Sequence, residues 1–352
     1  MTVPRALFRA DASVEIGIGH LVRCRALADE LVRRGWSVGF ASRETTGAVA
    51  GVHPAEGYET LSIPQDVQTD NEPYWLAARL SSDRPLLIVD HYDVGAIWLE
   101  RARAWAGSIV AVDDLANRPL PVDLLLNQNL GVDAAKYRSL VPGDARILTG
   151  PMYALLRPEF ATIHDRRRAR SGRVDRILVF LSGGDPTNVT GRAAEAADSV
   201  GATVDVVVGA GFPALAELRG WAAGRPSVEV HVQTPSMASL MERADLAVGA
   251  PGSAAWERSA VGLPSILVVL ADNQREPGRQ LARLGAAVML GWHEVVDVET
   301  IRRSIEDVRA APDRVRAMSD AAARITDGRG TERVMAEIEA LVDRPTRTVT
   351  GV

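Results

Sequence analysis

The sequence predicts an α/β protein built as two doubly wound parallel sheets that face each other across a cleft. Short β-rich apolar runs alternate with longer helical patterns almost throughout, the signature of a parallel sheet with helices on both faces. The alternation breaks once, after Gly150-Pro151, runs through a polar, arginine-rich stretch to Asp175, and restarts. The chain has 352 residues, enough for two domains of ordinary size. The expected division is a Rossmann-like domain over 1–157, a second over 172–328, and a closing helix and tail over 329–352. Whether that last segment crosses back onto the first domain is left open.

In the first half the apolar runs predict strands at 6–8, 36–41, 86–89, 108–112, 124–126 and 146–148, with helices at 21–33, 74–80 and 97–105. In the second half they predict strands at 176–181, 204–208, 228–232, 246–248, 266–269 and 287–290. Helices are expected at 187–199, 237–243, 254–261 and 275–284, and the stretch 301–341 is helical by periodicity. The tail from Pro345 reads as loose. Open sheets of this kind bind ligands outside the carboxyl ends of their strands, so two facing edges would enclose one ligand.

Composition narrows the class. Hydrophobic residues make up 47% and charged residues 24%, with a net charge of −5 at pH 7. That balance argues against nucleic acid or an anionic membrane surface as the main partner. The basic run Arg166-Arg167-Arg168-Ala169-Arg170 reads as a solvated connector. A single cysteine, Cys24, precludes an internal disulfide and reads as core packing. The first residues lack the apolar stretch of a signal peptide, and no apolar run reaches the length of a membrane span. A cytoplasmic protein is expected.

Three loops carry candidate chemistry, each between a strand and a helix. The first contains Gly17-Ile18-Gly19-His20. Its glycines permit close backbone approach to a ligand, and the helix start offers free N–H groups to an anion. A third glycine of the dinucleotide fingerprint is missing. His20 reads either as a packing or capping residue or as a general base beside a bound phosphate. Asp11 either orients the His20 ring or caps the turn. The second loop, Ser182-Gly183-Gly184-Asp185-Pro186-Thr187-Asn188, is either an anion cradle or a tight turn capped by Thr187 or Asp185. The third is Gly249-Ala250-Pro251-Gly252-Ser253-Ala254-Ala255-Trp256-Glu257. Gly252 and Ser253 supply donors for phosphate there. Glu257, at i+4 from Ser253, lies on the same helix face, where a carboxylate can accept two hydrogen bonds from a ribose diol. The reading has a capped helix start as its alternative.

Asp90-His91-Tyr92 and Asp113-Asp114 also follow strands and point to the same cleft. Asp113-Asp114 lacks the supporting ligands of a metal site, and the remaining histidines lack ligand spacing. No metal or other cofactor is expected.

Taken together these residues resemble the UDP-2,4-diacetamido-2,4,6-trideoxy-β-L-altropyranose hydrolase family of pseudaminic acid biosynthesis. The resemblance rests on the run from Phe8 through Cys24, on Val89-Asp90-His91-Tyr92, on Val112 to Arg118 and on Asp123 to Asn129. It extends to Tyr153 through Phe160, Ser182-Gly183-Gly184-Asp185 and Gly252-Ser253-Ala254-Ala255-Trp256-Glu257. It covers nearly the whole chain. It implies a GT-B fold and metal-independent, inverting hydrolysis of the sugar–UDP bond, with His20 as the base that activates water. Arg157, Glu257 and Asn273 are implied as ligand contacts, with Glu257 on the ribose. Asp11, Gly17, Gly19, Tyr92, Gly183, Gly184, Gly252 and Ser253 complete the expected substrate-binding set. The family's usual Gly-Ser-Thr-Thr-Trp-Glu is here Gly-Ser-Ala-Ala-Trp-Glu, so Ala254 and Ala255 can offer phosphate only their backbone groups. A glycosyltransferase using the same UDP-sugar donor, and a nucleotide-sugar binding module without catalysis, are the alternatives.

Overall fold

The computed structural model describes residues 3–11, 19–43, 57–80 and 84–343. Its first lobe holds β1 (Arg5–Ala10), α1 (Gly19–Arg33), β2 (Ser37–Arg43), β3 (Glu59–Ile63), α2 (Glu72–Ala77), β4 (Leu86–Asp90), α3 (Ala96–Ala102), β5 (Ile109–Val112), β6 (Leu124–Asn127) and β7 (Arg146–Thr149). The seven strands form one parallel sheet in the order β3-β2-β1-β4-β5-β6-β7. The interiors of β1, β2, β4, β5 and β6 are buried apolar runs, as a sheet covered on both faces requires. On α1 the buried Leu21, Cys24, Leu27, Ala28 and Leu31 follow helical spacing and form one stripe against the sheet.

The chain then enters α4 (Pro158–Arg166) and the second lobe: β8 (Arg176–Phe180), α5 (Val189–Ser199), β9 (Thr203–Val208), α6 (Leu215–Ala222), β10 (Val228–Val232), α7 (Met237–Arg243), β11 (Leu246–Gly249), α8 (Ala254–Ala260), β12 (Ser265–Val269), α9 (Arg275–Arg283), β13 (Ala287–Trp292), α10 (Val298–Arg309) and α11 (Pro312–Ala323). The second sheet is parallel in the order β10-β9-β8-β11-β12-β13. Each sheet reverses direction beside its first strand, between β1 and β4 and between β8 and β11, which is where doubly wound sheets open a ligand crevice.

The last helix, α12 (Gly330–Val342), returns to the first lobe. Val334, Met335, Ile338 and Leu341 share a buried cluster with Leu21, Leu27 and Leu31 of α1. Thr331 Oγ1 donates to the Leu156 carbonyl at 2.7 Å, Arg34 pairs with Glu339 at 2.8 Å and Arg146 pairs with Glu337. The crossing is tight: a Cβ at Gly330 would collide with the backbone of Tyr153 and Ala154.

Three elements depart from the sequence reading. β3 is an edge strand with mostly exposed residues, so it carries no alternating apolar pattern. α6 buries a single side chain, Leu218, and shows no stripe. α4 lies within the stretch read as a polar break. Pro158 opens it, and Phe160, Ala161 and Ile163 are buried, with Phe160 and Ile163 packed among second-lobe residues such as Leu178 and Leu240. The helix expected at 74–80 runs from Glu72 to Ala77. Gly17 and the tail from Pro345 lie outside the described residues.

Candidate functional site

His20 is the second residue of α1 and is buried, only 7% exposed. β4 ends at Asp90, and its carboxylate meets the His20 ring: Nδ1 lies 2.5 Å from Oδ1. Burial opposes ionisation of Asp90, but Arg23 and His20 more than offset it, and the group is held well below the usual carboxylate range. A carboxylate can only accept. Nδ1 therefore carries the ring proton that faces Asp90, and Nε2 is left with a lone pair in the neutral ring. This is the arrangement a general base needs: a fixed tautomer, a buried anion behind it, and an acceptor nitrogen with no partner among the described residues.

The expectation that Asp11 orients this ring is corrected. Asp11 sits after β1, the neighbouring strand, and the parallel register sets Asp90 opposite Ala10. Its carboxylate is taken up by Arg9 (2.6 and 3.0 Å), by His91 Nε2 (2.8 Å) and by the Arg43 backbone N–H (2.8 Å). Asp11 thus belongs to a buried ionic network rather than to the ligand surface expected of it. Arg9 also grips Glu72 at 2.9 and 3.0 Å, and Arg43 reaches Glu72 at 2.7 Å. His91 Nδ1 accepts the Asp93 N–H at 3.1 Å, which leaves Nε2–H to donate to Asp11.

Around His20 a second network closes. Arg23 binds Asp90 through Nε and Nη2, both at 2.6 Å, and Asp114 through Nη1 and Nη2 at 3.1 and 2.9 Å. Asp114 also accepts the Tyr92 hydroxyl at 3.0 Å and the Asn129 amide at 2.8 Å. Tyr92 presents its ring at right angles to His20, with centroids 4.7 Å apart. Asp113 serves the fold: it binds Arg118, the Tyr137 hydroxyl and the amides of Leu115 and Ala116. Both aspartates of this pair are thus committed to protein donors.

The opposite lobe meets this edge directly. Asn273 Nδ2 donates to the Tyr92 hydroxyl at 3.1 Å. A Cβ on Gly19 would lie 2.9 Å from Ser253 Oγ, so the start of α1 and the start of α8 touch, and only glycine lets them do so without displacement. Ser253 makes no side-chain cap for α8. The Ala255 amide is spent on the Gly252 carbonyl at 2.9 Å, so the backbone donation expected of Ala255 is not available, whereas Ala254 N–H has no acceptor among the described residues.

Glu257, one turn into α8, is 8% exposed, and its carboxylate meets no hydrogen-bond donor among the described residues. Burial pushes its carboxyl up to about 7, against the pull of Arg157 and Arg258. Arg157, at the start of α4, pairs with Glu159 at 3.0 Å and touches the Pro235 carbonyl, and its buried Nε has no partner among the described residues. The Ser182–Asn188 loop is a tight turn. Ser182 Oγ accepts the Asp185 N–H, Asp185 caps Thr190, and Asn188, at φ 50°, caps Gly191. Gly183 gives its carbonyl to the Gly209 amide at 2.9 Å, and a Cβ on Gly209 would collide with it. Gly184 is half-buried in the same turn.

The structure thus brings together His20, Gly19, Tyr92, Ser253 and Asn273, and separately links Arg157 to Glu257 by charge. Sequence reasoning placed Asp90 at the cleft without its role, and passed over Arg23. The signal for Arg23 was its spacing, one turn after His20 on α1, but its two carboxylate partners come from different strands.

Among the described residues no helix is long and apolar enough to cross a membrane. Residues 205–334, which include Ser253, Glu257 and Asn273, match the glycosyltransferase family 28 C-terminal domain. The chain is 26% identical over 342 residues to the spore coat polysaccharide biosynthesis protein SpsG of Bacillus subtilis, covering 95% of this chain and 98% of that one. It is 24% identical over 285 residues to the UDP-2,4-diacetamido-2,4,6-trideoxy-β-L-altropyranose hydrolase of Campylobacter jejuni, covering 81% and 98%. Among solved structures, MurG of Acinetobacter baumannii superposes with a TM-score of 0.65 at 14% identity, covering 96% of this chain and 99% of that one. The calicheamicin glycosyltransferase CalG4 does so at 0.58 and 19%, covering the whole of both chains. The chain has the GT-B fold, and much of its second lobe matches the C-terminal domain of family 28 glycosyltransferases.

Proposed function

We propose that the protein hydrolyses a UDP-linked 2,4-diacetamido-2,4,6-trideoxy hexose at its anomeric carbon, releasing UDP and the free sugar. His20 Nε2 takes a proton from water as the water oxygen bonds to C1. The bond from C1 to the UDP oxygen breaks on the opposite face, and the configuration inverts. Asp90 keeps the ring in the tautomer that accepts and stabilises the imidazolium that forms. UDP is a good leaving group, so the reaction needs donors for the departing charge rather than a protonating acid. Ser253 Oγ and the Ala254 amide supply such donors. Glu257 accepts the ribose hydroxyls, with Arg157 beside it. Gly19, Tyr92 and Asn273 close the site between the lobes, and Gly252 lets the phosphates approach.

The observation that carries this reading is the buried Asp90–His20 pair standing against the start of α8 across the interlobe contact. The similarity to the Campylobacter jejuni UDP-sugar hydrolase, at 24% identity, supports it. Glycosyl transfer from the same donor to a sugar or lipid acceptor is the second reading, favoured by the family 28 match over residues 205–334. Incubation with UDP-sugars and no acceptor separates the two. Free sugar appearing with UDP supports hydrolysis. UDP release that waits for an added acceptor supports transfer and rejects the first reading.

A further inference from the structure

The proposed reaction uses Asp90 but gives no task to Asp114. We propose that Asp114 is a positioning residue that acts on His20 through Arg23, by keeping the cluster around the base one negative charge in excess. The inference rests on the reading of His20 as the base.

Arg23 is 5% exposed, and its guanidinium fork is divided between two carboxylates. Asp90 takes the Nε proton and one Nη2 proton in bidentate fashion, at 2.6 Å on both arms. Asp114 takes Nη1 and the second Nη2 proton at 3.1 and 2.9 Å, with its side chain 8% exposed, so two buried carboxylates stand against one guanidinium. One cation cannot cancel two anions, and at this depth the remainder is poorly screened.

The groups facing His20 account for the balance. Arg23 comes from α1, Asp90 and Tyr92 from the end of β4, and Asp114 from the loop after β5. Cys24 points its thiol at Asp90 at 3.5 Å, and burial keeps that thiol protonated. Among the described residues no other charged side chain contacts the ring. With a neutral ring, Arg23, Asp90 and Asp114 sum to −1. When Nε2 takes the proton of the attacking nucleophile, the cluster becomes neutral. Without Asp114 the same step would run from neutral to +1 inside a buried site, which is electrostatically uphill.

The test is a pH titration of the ¹⁵N-labelled full chain by long-range ¹H–¹⁵N spectroscopy of the histidine rings. Asp114→Asn is expected to move the His20 midpoint down by about 0.5–1 pH unit, as loss of an indirect charge partner should. Tyr92→Phe, which removes the hydroxyl but no charge, should leave the midpoint in place. His231, paired with Asp205 in the second lobe, is the internal control. On a UDP-sugar that the wild type turns over, Asp114→Asn should lower kcat about tenfold with KM nearly constant, and the acidic limb of the rate profile should follow the midpoint. Asp114→Ser should repeat the shift if the asparagine variant does not fold. An unmoved midpoint, an equal shift in Tyr92→Phe, or loss of the fold in both Asp114 variants would overturn the assignment. The titration needs no substrate, so it reads Asp114 even where the turnover assay rejects hydrolysis.

Discussion

Two buried ionic networks lie side by side at the carboxyl edge of the first sheet, and they differ in charge balance. The network after β1 and β2 joins Arg9 and Arg43 to Asp11 and Glu72, two cations against two anions. The network after β4 and β5 joins Arg23 to Asp90 and Asp114, one cation against two anions, with His20 as the remaining partner. The first is closed, since Trp98 Nε1 and His91 occupy acceptor sites that the arginines leave on Glu72 and Asp11. A closed, balanced network can rigidify an edge but has no use for another proton. The second is built around an imidazole that can accept one. Position alone does not make a polar cluster a site; an unfilled proton acceptor beside an excess of charge does.

The sharpest way to break this contrast is to remove the acceptor. His20→Asn should lower the rate of UDP release by about 10³-fold, near the middle of the range for a general base, while UDP affinity by calorimetry changes little. Near-wild-type turnover would exclude His20 as the base.

The balanced network should respond in the opposite currency. Glu72→Gln leaves Arg9, fully buried, with Asp11 as its one remaining carboxylate partner and the network one positive charge in excess, and should cost about 3 kcal/mol of stability by denaturant unfolding. The surviving folded enzyme should turn over at a rate close to the wild type. A large loss of rate at full stability would show that this network also serves catalysis.

Glu257 extends the comparison to the second lobe, where its buried carboxyl has no hydrogen-bond donor among the described residues. Because burial raises it to about 7 in the free protein, ribose binding should select the ionised form. UDP affinity should therefore fall as pH drops below about 7 and level off above it; Glu257→Gln should bind about tenfold more weakly at pH 8 and lose the dependence. The stability sign is the reverse. A carboxyl whose folded value is raised destabilises the fold as pH climbs from its unfolded range to about 7, so Glu257→Gln should be the more stable protein at pH 8. Calorimetry and thermal melts at pH 6 and 8 check both.

The smallest effect concerns the seam between the lobes. Gly19→Ala places a Cβ 2.9 Å from Ser253 Oγ, the end of a short side chain that can turn away. It should reduce kcat/KM by only a few-fold, and Ser253→Ala should relieve part of that loss in a double-mutant cycle. Additive effects would show that the two helix starts do not meet in the working enzyme.

The alternation of apolar runs was legible because each buried strand and each striped helix writes its own period. Leu86–Asp90 and Met237–Arg243 were placed nearly to the residue. Elements that bury little were not legible: β3 and α6 leave no pattern to read. Within the site, His20 was conspicuous because a histidine ends a glycine turn at a helix start. Its partner was not, since Asp11 and Asp90 both lie at the carboxyl edge of neighbouring strands and only strand order and register distinguish them.

What the sequence alone determined is the fold class, the strand-to-helix loops and the residue types that they carry, because these follow from local period and turn chemistry. What the tertiary structure decided is which of those residues meet: Asp90 rather than Asp11 on His20, Arg23 shared with Asp114, Tyr92 under Asn273 from the other lobe. Those pairings span 70 to 181 residues along the chain. Contacts at such separations are fixed by strand order, register and lobe packing, and no local pattern encodes them.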